Sequence, residues 1–185
     1  FCLDVKWDER SLSLRTPRPA EIMPSSELLV QAWSKHALVK CIGLETACFE
    51  AVQRGDELTV RSCLEGGGRA NATREVRSKD GDVTTGVTLL MDAARKGHER
   101  VAALLLQHDA EVNLQNSVGE TALMAAAVLN HPAVVRRLLR AGADTAARNA
   151  SGSTALQLVK EQGHAECVEA FKQHVQEVVA GRLTV

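Results

Sequence analysis

The sequence predicts an all-α fold, a solenoid of stacked helix–turn–helix units with a capping helix in front. Three observations carry this expectation. The chain of 185 residues repeats itself at a spacing of 33, so that Gly86, Gly119 and Gly152 align and Thr88, Thr121 and Thr154 follow two positions later. Apolar residues then recur in register: Leu90 with Leu123 and Leu156, Ala93 with Ala126, Val101 with Val134, and Leu105-Leu106 with Leu138-Leu139. Alanine is abundant while aromatics are limited to three Phe and two Trp, which suits short helices packed closely on their neighbours.

Residues 1–24 show no clear period, and Thr16-Pro17-Arg18-Pro19 and Pro24 favour extended backbone, so an arm or linker is expected there. The opening Phe1-Cys2-Leu3 is neither a signal peptide nor a methionine start, and the chain is expected to be a fragment of a longer protein. Residues 25–42 read as the capping helix. Ser25, Ser26 and Glu27 suit a helix start, and Leu28, Leu29, Ala32, Trp33, Ala37 and Leu38 share one face. The helix is expected to stop about Cys41-Ile42-Gly43.

Four repeats follow over residues 43–180, at about 43–71, 84–116, 117–149 and 150–180. The first is divergent: the residues from Thr46 to Asp56 match those from Thr88 to His98 at an offset of 42 rather than 33. Its second helix is expected from about Glu57 to Leu64, stopped by Gly66-Gly67-Gly68. The longer offset places nine extra residues in a polar inserted loop at about 72–85, carrying Arg74, Arg77, Lys79 and the turn Asp80-Gly81. That insert is either a tolerated solvated loop or a binding element, since insertions in repeats land on one face. In the fourth repeat Phe171-Lys172 stands where Leu138-Leu139 stood, and the helix runs on through Val175, Val178 and Val179. A polar outer face is what the last unit of a stack requires, so the array is expected to end there.

A unit of 33 residues built as turn, short helix, turn and longer helix resembles an ankyrin repeat. Ala141-Gly142-Ala143-Asp144 reproduces the Gly-Ala-Asp exit of that family, and Thr88, Thr121 and Thr154 match its helix-capping threonine. The family's usual Pro-Leu-His after this threonine is absent. Thr88-Leu89-Leu90-Met91, Thr121-Ala122-Leu123-Met124 and Thr154-Ala155-Leu156-Gln157 stand instead, which implies weaker hydrogen bonding between neighbouring repeats.

Composition excludes several roles. The formal charge is −1 with acids and bases well mixed, so neither nucleic acid nor an anionic membrane is an expected partner. No apolar run approaches a membrane span. Five scattered cysteines without a CxxC pattern argue against a disulfide framework and for a reducing compartment, cytoplasmic or nuclear. His98, His131 and His164 recur, but helices one repeat apart sit about 10 Å from one another, too far for a shared metal with ligand bonds near ~2 Å. They read as structural turn and cap residues. Gly66-Gly67-Gly68 lacks the Lys and Ser/Thr of a phosphate loop, and Asp80-Gly81-Asp82 lacks the glycine and closing glutamate of a calcium loop. No catalytic residue, cofactor or metal site is expected, and the chain is not expected to be an enzyme.

The resemblance implies a partner surface on the concave side, where finger tips meet the first helix of each repeat. Here that surface comprises the finger residues Thr84, Thr85, Val87, Ser117, Val118 and Glu120. It also comprises a ladder of pairs at the helix ends: Gln53-Arg54, Arg95-Lys96, Val128-Leu129 and Glu161-Gln162. Val128-Leu129 is the apolar departure in a polar column, and either anchors a partner or, for Leu129, folds under the next helix as core. The expected role is a protein-interaction module or scaffold, a monomer whose partner protein or peptide brings an apolar anchor and acidic residues facing Arg54, Arg95 and Lys96. The alternative is a targeting or substrate-recruiting domain of a larger enzyme or ubiquitin-ligase adaptor whose active part lies outside the chain. Leu105 followed by Glu111-Val112-Asn113 is similar to the ankyrin-loop sequence used by asparaginyl hydroxylases, which implies Asn113 as a modification site; otherwise Asn113 is a finger residue that caps a turn.

Overall fold

The computed structural model describes residues 43–78 and 81–181. The arm at 1–24 and the capping helix at 25–42 lie outside the described residues, as do Lys79 and Asp80 in the insert. The described part runs as four helix pairs. Helix α1 covers residues 43–54 and pairs with α2 (Glu57–Glu65); α3 (Leu89–Lys96) pairs with α4 (Glu99–Gln107). The third pair is α5 (Ala122–Val128) with α6 (Pro132–Arg140), and the fourth is α7 (Ala155–Gln162) with α8 (Ala165–Val179). Contacts link α3 to α5 and α5 to α7 in one row, and α2 to α4, α4 to α6 and α6 to α8 in another. Two layers of helices therefore share one core.

Local chemistry explains where each helix begins and ends. The Thr88 hydroxyl accepts from the Met91 N–H at 3.2 Å, Thr121 from Met124 at 3.3 Å and Thr154 from Gln157 at 3.4 Å. In the last repeat the Gln157 side chain reaches back to the Thr154 N–H at 2.8 Å, completing a capping box. Pro132 opens α6, where a missing N–H costs nothing. In the first repeat Asp56 caps α2, and its carboxyl lies below the usual range because the Thr59 hydroxyl and N–H both bond to it. Gly43 is already helical, and Thr46, which aligns with Thr88, lies inside α1 rather than at its cap.

Each short helix ends in a left-handed residue that turns the chain into the next helix. Gly97 does this at φ 73° and Gly163 at φ 74°. In the third repeat Asn130 takes the position at φ 57°, the kind of residue that tolerates this region best after glycine.

On either side of Lys79 and Asp80 the insert is extended, and this revises the all-α expectation in one place. Instead of a loop it forms an antiparallel hairpin of β1 (Thr73–Arg77) and β2 (Val83–Thr88). Thr73 faces Thr88 and Arg74 faces Val87, but Val76 faces Thr84, so Thr85 and Gly86 together oppose the single residue Glu75. Gly86 adopts φ 73°, as a bulge of this kind requires. The bulge turns Thr85 away from β1 and toward the next finger. There the Thr85 carbonyl accepts from the Ser117 N–H at 2.9 Å, and its N–H donates to the Ser117 hydroxyl at 3.0 Å.

The core follows the repeat. Leu90, Val101, Leu105, Leu123, Val134, Leu138 and Val159 are buried, with alanines at 93, 94, 126 and 127 letting the short helices approach. Cys48, Cys63 and Cys167 are also buried and unpaired. Burial, reinforced by the neighbouring Cys63 thiol, pushes the Cys48 thiol up to about 12, and burial raises Cys167 as well. Alkylation by iodoacetamide at pH 8 is therefore expected to leave these three cysteines unlabelled in the folded chain and to label all three in denaturant, read by peptide mapping. Rapid native labelling of Cys48 would contradict this packing.

Helix α8 presents a partly polar outer face. Phe171 is buried but Lys172 is exposed and pairs with Glu169 at 3.5 Å, while Val175 and Val179 face solvent.

Candidate functional site

Because α1, α3, α5 and α7 are equivalent helices, their last residues fall in one column. Gln53, Arg54, Lys96, Leu129, Glu161 and Gln162 are exposed there, and Arg95 and Val128 are half-buried. Leu129 is 49 % exposed at the C-cap of α5, which decides between the two readings of that residue: it is not core.

The finger residues divide. Thr85, Ser117 and Val118 are exposed and Thr84 is half-buried. Val87 is fully buried; it points from β2 into the core and has no surface to offer a partner. Successive fingers are stitched through their backbones, with Ser117 bonded to Thr85 and the Ala150 N–H donating to the Val118 carbonyl at 2.9 Å.

The charges of the ladder are partly spoken for. Arg95 is paired with Glu120, which the Asn116 amide also holds at 3.0 Å. Glu120 thus neutralises the cation expected to face a partner acid, leaving Arg54 and Lys96 as the exposed basic groups of the column. Gln53 is engaged by the hairpin: the Arg74 guanidinium lies over the Phe49 ring, 5.3 Å from its centroid, and pairs with Asp92 at 2.8 Å. The Gln53 amide, with its oxygen toward this guanidinium, accepts from Nη2 at 2.5 Å and Nη1 at 3.0 Å.

The three recurring histidines do not cap helices with their side chains. Each reaches one repeat back. His98 Nε2 donates to the Gln53 carbonyl at 3.2 Å, His131 Nε2 to Arg95 at 3.1 Å, and His164 Nδ1 to Ala127 at 3.1 Å. They bond to carbonyls in the last turn of each preceding short helix, that of Ala127 also accepting from the Asn130 N–H at 3.4 Å. Among the described residues no group of three or more His, Cys, Asp and Glu is placed to hold a metal ion.

Asn113 is exposed, and its amide bridges to the next repeat. Its oxygen accepts from the Asp144 N–H at 2.8 Å and its nitrogen donates to the Gly142 carbonyl at 3.3 Å. Asn71 does the same one repeat earlier, accepting from the Glu111 N–H at 2.8 Å.

Two sets of residues shape this face in ways that were not read from sequence. Asn116 and Asn149, 33 apart, each organise a finger: Asn116 Oδ1 accepts from Val118 and Glu120, and Asn149 Oδ1 from Ser151 and Ser153. Their recurrence in the repeat was the available signal. The other set is Arg74 with Asp92, whose signal was an acid in a helix column that holds Ala125 and Leu158 in later repeats.

Comparison with known proteins agrees with this architecture. A family model described as ankyrin repeats, in three copies, matches residues 48–149, more than half of the chain and short of the α7–α8 pair. None of the curated proteins compared with the chain matches it. Among the described residues no helix is long and apolar enough to cross a membrane. The matched span, the helix pairs and the capping threonines together place this chain in the ankyrin-repeat family, whose repeats are in general protein–protein interaction modules.

Proposed function

We propose that the chain is a non-catalytic interaction module that holds a partner protein or peptide segment on its finger and helix-end face. The observation that carries this reading is Leu129, half exposed beside the half-buried Val128 in a column otherwise filled by polar residues. A solvent-facing leucine with an adjoining apolar side chain and a charged rim is where desolvation contributes most to binding. Val118, on the finger of the same repeat, is a second exposed apolar residue at 43 %. Lys96 and Arg54 on one side and Glu161 on the other give the face a direction, basic toward the first repeats and acidic toward the last. The partner is accordingly expected to seat an apolar side chain at Leu129 and a carboxylate toward Lys96.

The test is Leu129→Asp. Since Leu129 is exposed, the variant should keep its thermal midpoint within about 1–2 °C, as surface changes do. Partners captured by the parent chain and then purified should bind it at least ~30-fold more weakly, the loss of an anchor of about 2 kcal/mol. Unchanged affinity in a folded Leu129→Asp chain would move binding off this face.

A further inference from the structure

The contact between Arg74 and the first two repeats has the make-up of a binding pocket rather than of a surface salt bridge. Its acid, Asp92, is only 5 % exposed and sits in α3 at a position that the later repeats fill with Ala125 and Leu158. A buried carboxylate there costs stability unless a cation meets it. The cation comes from outside the helical stack, on β1, and is met on three sides by Asp92, the Phe49 ring and the Gln53 amide. A planar guanidinium that lies over a ring, is ion-paired with a carboxylate at 2.8 Å and donates through both Nη atoms to an amide oxygen uses features that lysine lacks.

We propose that Phe49, Gln53 and Asp92 form a guanidinium-binding site that Arg74 occupies in cis, and that an arginine side chain of a partner segment takes the same place when β1 lifts. The way Arg74 is held fits an exchangeable occupant. A third of its side chain is exposed, and its Nε is buried with no hydrogen-bond acceptor. The rest of β1 is lightly attached: Thr73, Glu75 and Arg77 are exposed, and Val76 is its one apolar residue packed on the core. Strand β2, by contrast, is stitched to the next finger through Thr85 and buries Val87. The hairpin can therefore release β1 while β2 stays in the stack. Only the source of the incoming arginine rests on the protein-binding role; the pocket itself does not.

A tethered side chain competes at an effective concentration on the order of millimolar. Free arginine derivatives should therefore bind only when Arg74 is removed. The experiment measures thermal midpoints of the full chain with N-acetyl-arginine methylamide and with its lysine counterpart as probes. The arginine probe is expected to raise the midpoint of Arg74→Ala by about 4 °C at ten times its dissociation constant, with a smaller effect from the lysine probe. It should leave the parent chain and Arg74→Ala/Asp92→Asn unmoved. If Arg74→Ala does not fold, Arg74→Lys keeps the charge without the fork, and the same arginine-over-lysine preference is required of it. No arginine-specific rise in a folded variant would overturn the proposal, as would an equal rise in the parent chain or in the double variant. None of these outcomes depends on Leu129, so the pocket and the partner face fail separately.

Discussion

Arg74→Met is expected to destabilise the chain by about 3 kcal/mol, a fall on the order of 10 °C in thermal midpoint, although Arg74 is partly exposed and lies in an insert. The loss is set by the group left behind. Asp92 is nearly inaccessible, and without the guanidinium its carboxylate loses the ion pair it makes in the folded chain. Methionine keeps most of the contact with the ring, so the charge is what changes. The double variant Arg74→Met/Asp92→Leu should recover most of the loss, because Leu158 already fills the equivalent position of the last repeat. Urea denaturation of the three variants and the parent closes the cycle. If Asp92→Leu alone were as harmful as the double variant, the pair would not be the source of the energy.

Gly97→Ala is expected to cost about 2–3 kcal/mol, and Gly163→Ala only about 1 kcal/mol, at turns of the same shape. Both glycines sit at φ near 73–74°, where a side chain strains the backbone. At Gly97 the added Cβ would also fall 2.5 Å from the His131 ring, whereas around Gly163 nothing lies within 4 Å. The extra cost at Gly97 is the displaced imidazole and its lost bond to the Arg95 carbonyl. Equal midpoints for the two variants would mean that the imidazole moves aside freely.

The helix pairs were legible because their signals are local and repeat in register. A threonine that caps, a leucine on the inner face and a glycine at the turn each act within a few residues, and a spacing of 33 reports them together. The hairpin carried local signals as well, with Thr73, Val76, Val83, Thr84 and Val87 around Asp80-Gly81. Those signals were outweighed by the polar residues between them, which read as a loop, either solvated or binding. What holds the hairpin in place was not legible, because Arg74 meets Phe49 and Asp92 through tertiary packing that no spacing encodes. The same holds for Val87, which looks like a finger residue in alignment and is buried by the way β2 enters α3. Glu120 and Arg95 were both singled out from sequence as surface groups, yet their mutual neutralisation depended on geometry alone.

The ties between repeats have a direction. In the backbone-to-backbone and imidazole-to-carbonyl bonds that cross from one unit to the next, the donor is in the later unit and the acceptor in the earlier one, whereas the Thr85 N–H and the Asn113 amide donate the other way. Ser117 donates to Thr85, Ala150 to Val118, and His98, His131 and His164 to carbonyls at the ends of the preceding short helices. Each unit thus finishes the helix end of its predecessor, while its own is finished by its successor. The two edges of any cut through this stack are consequently unlike: one is left with open carbonyls, the other with idle N–H groups. Fraying from the α7–α8 side exposes the helix end of the unit before it and loosens the next in turn. Loss of the first unit leaves the helix ends of α3 and α5 closed.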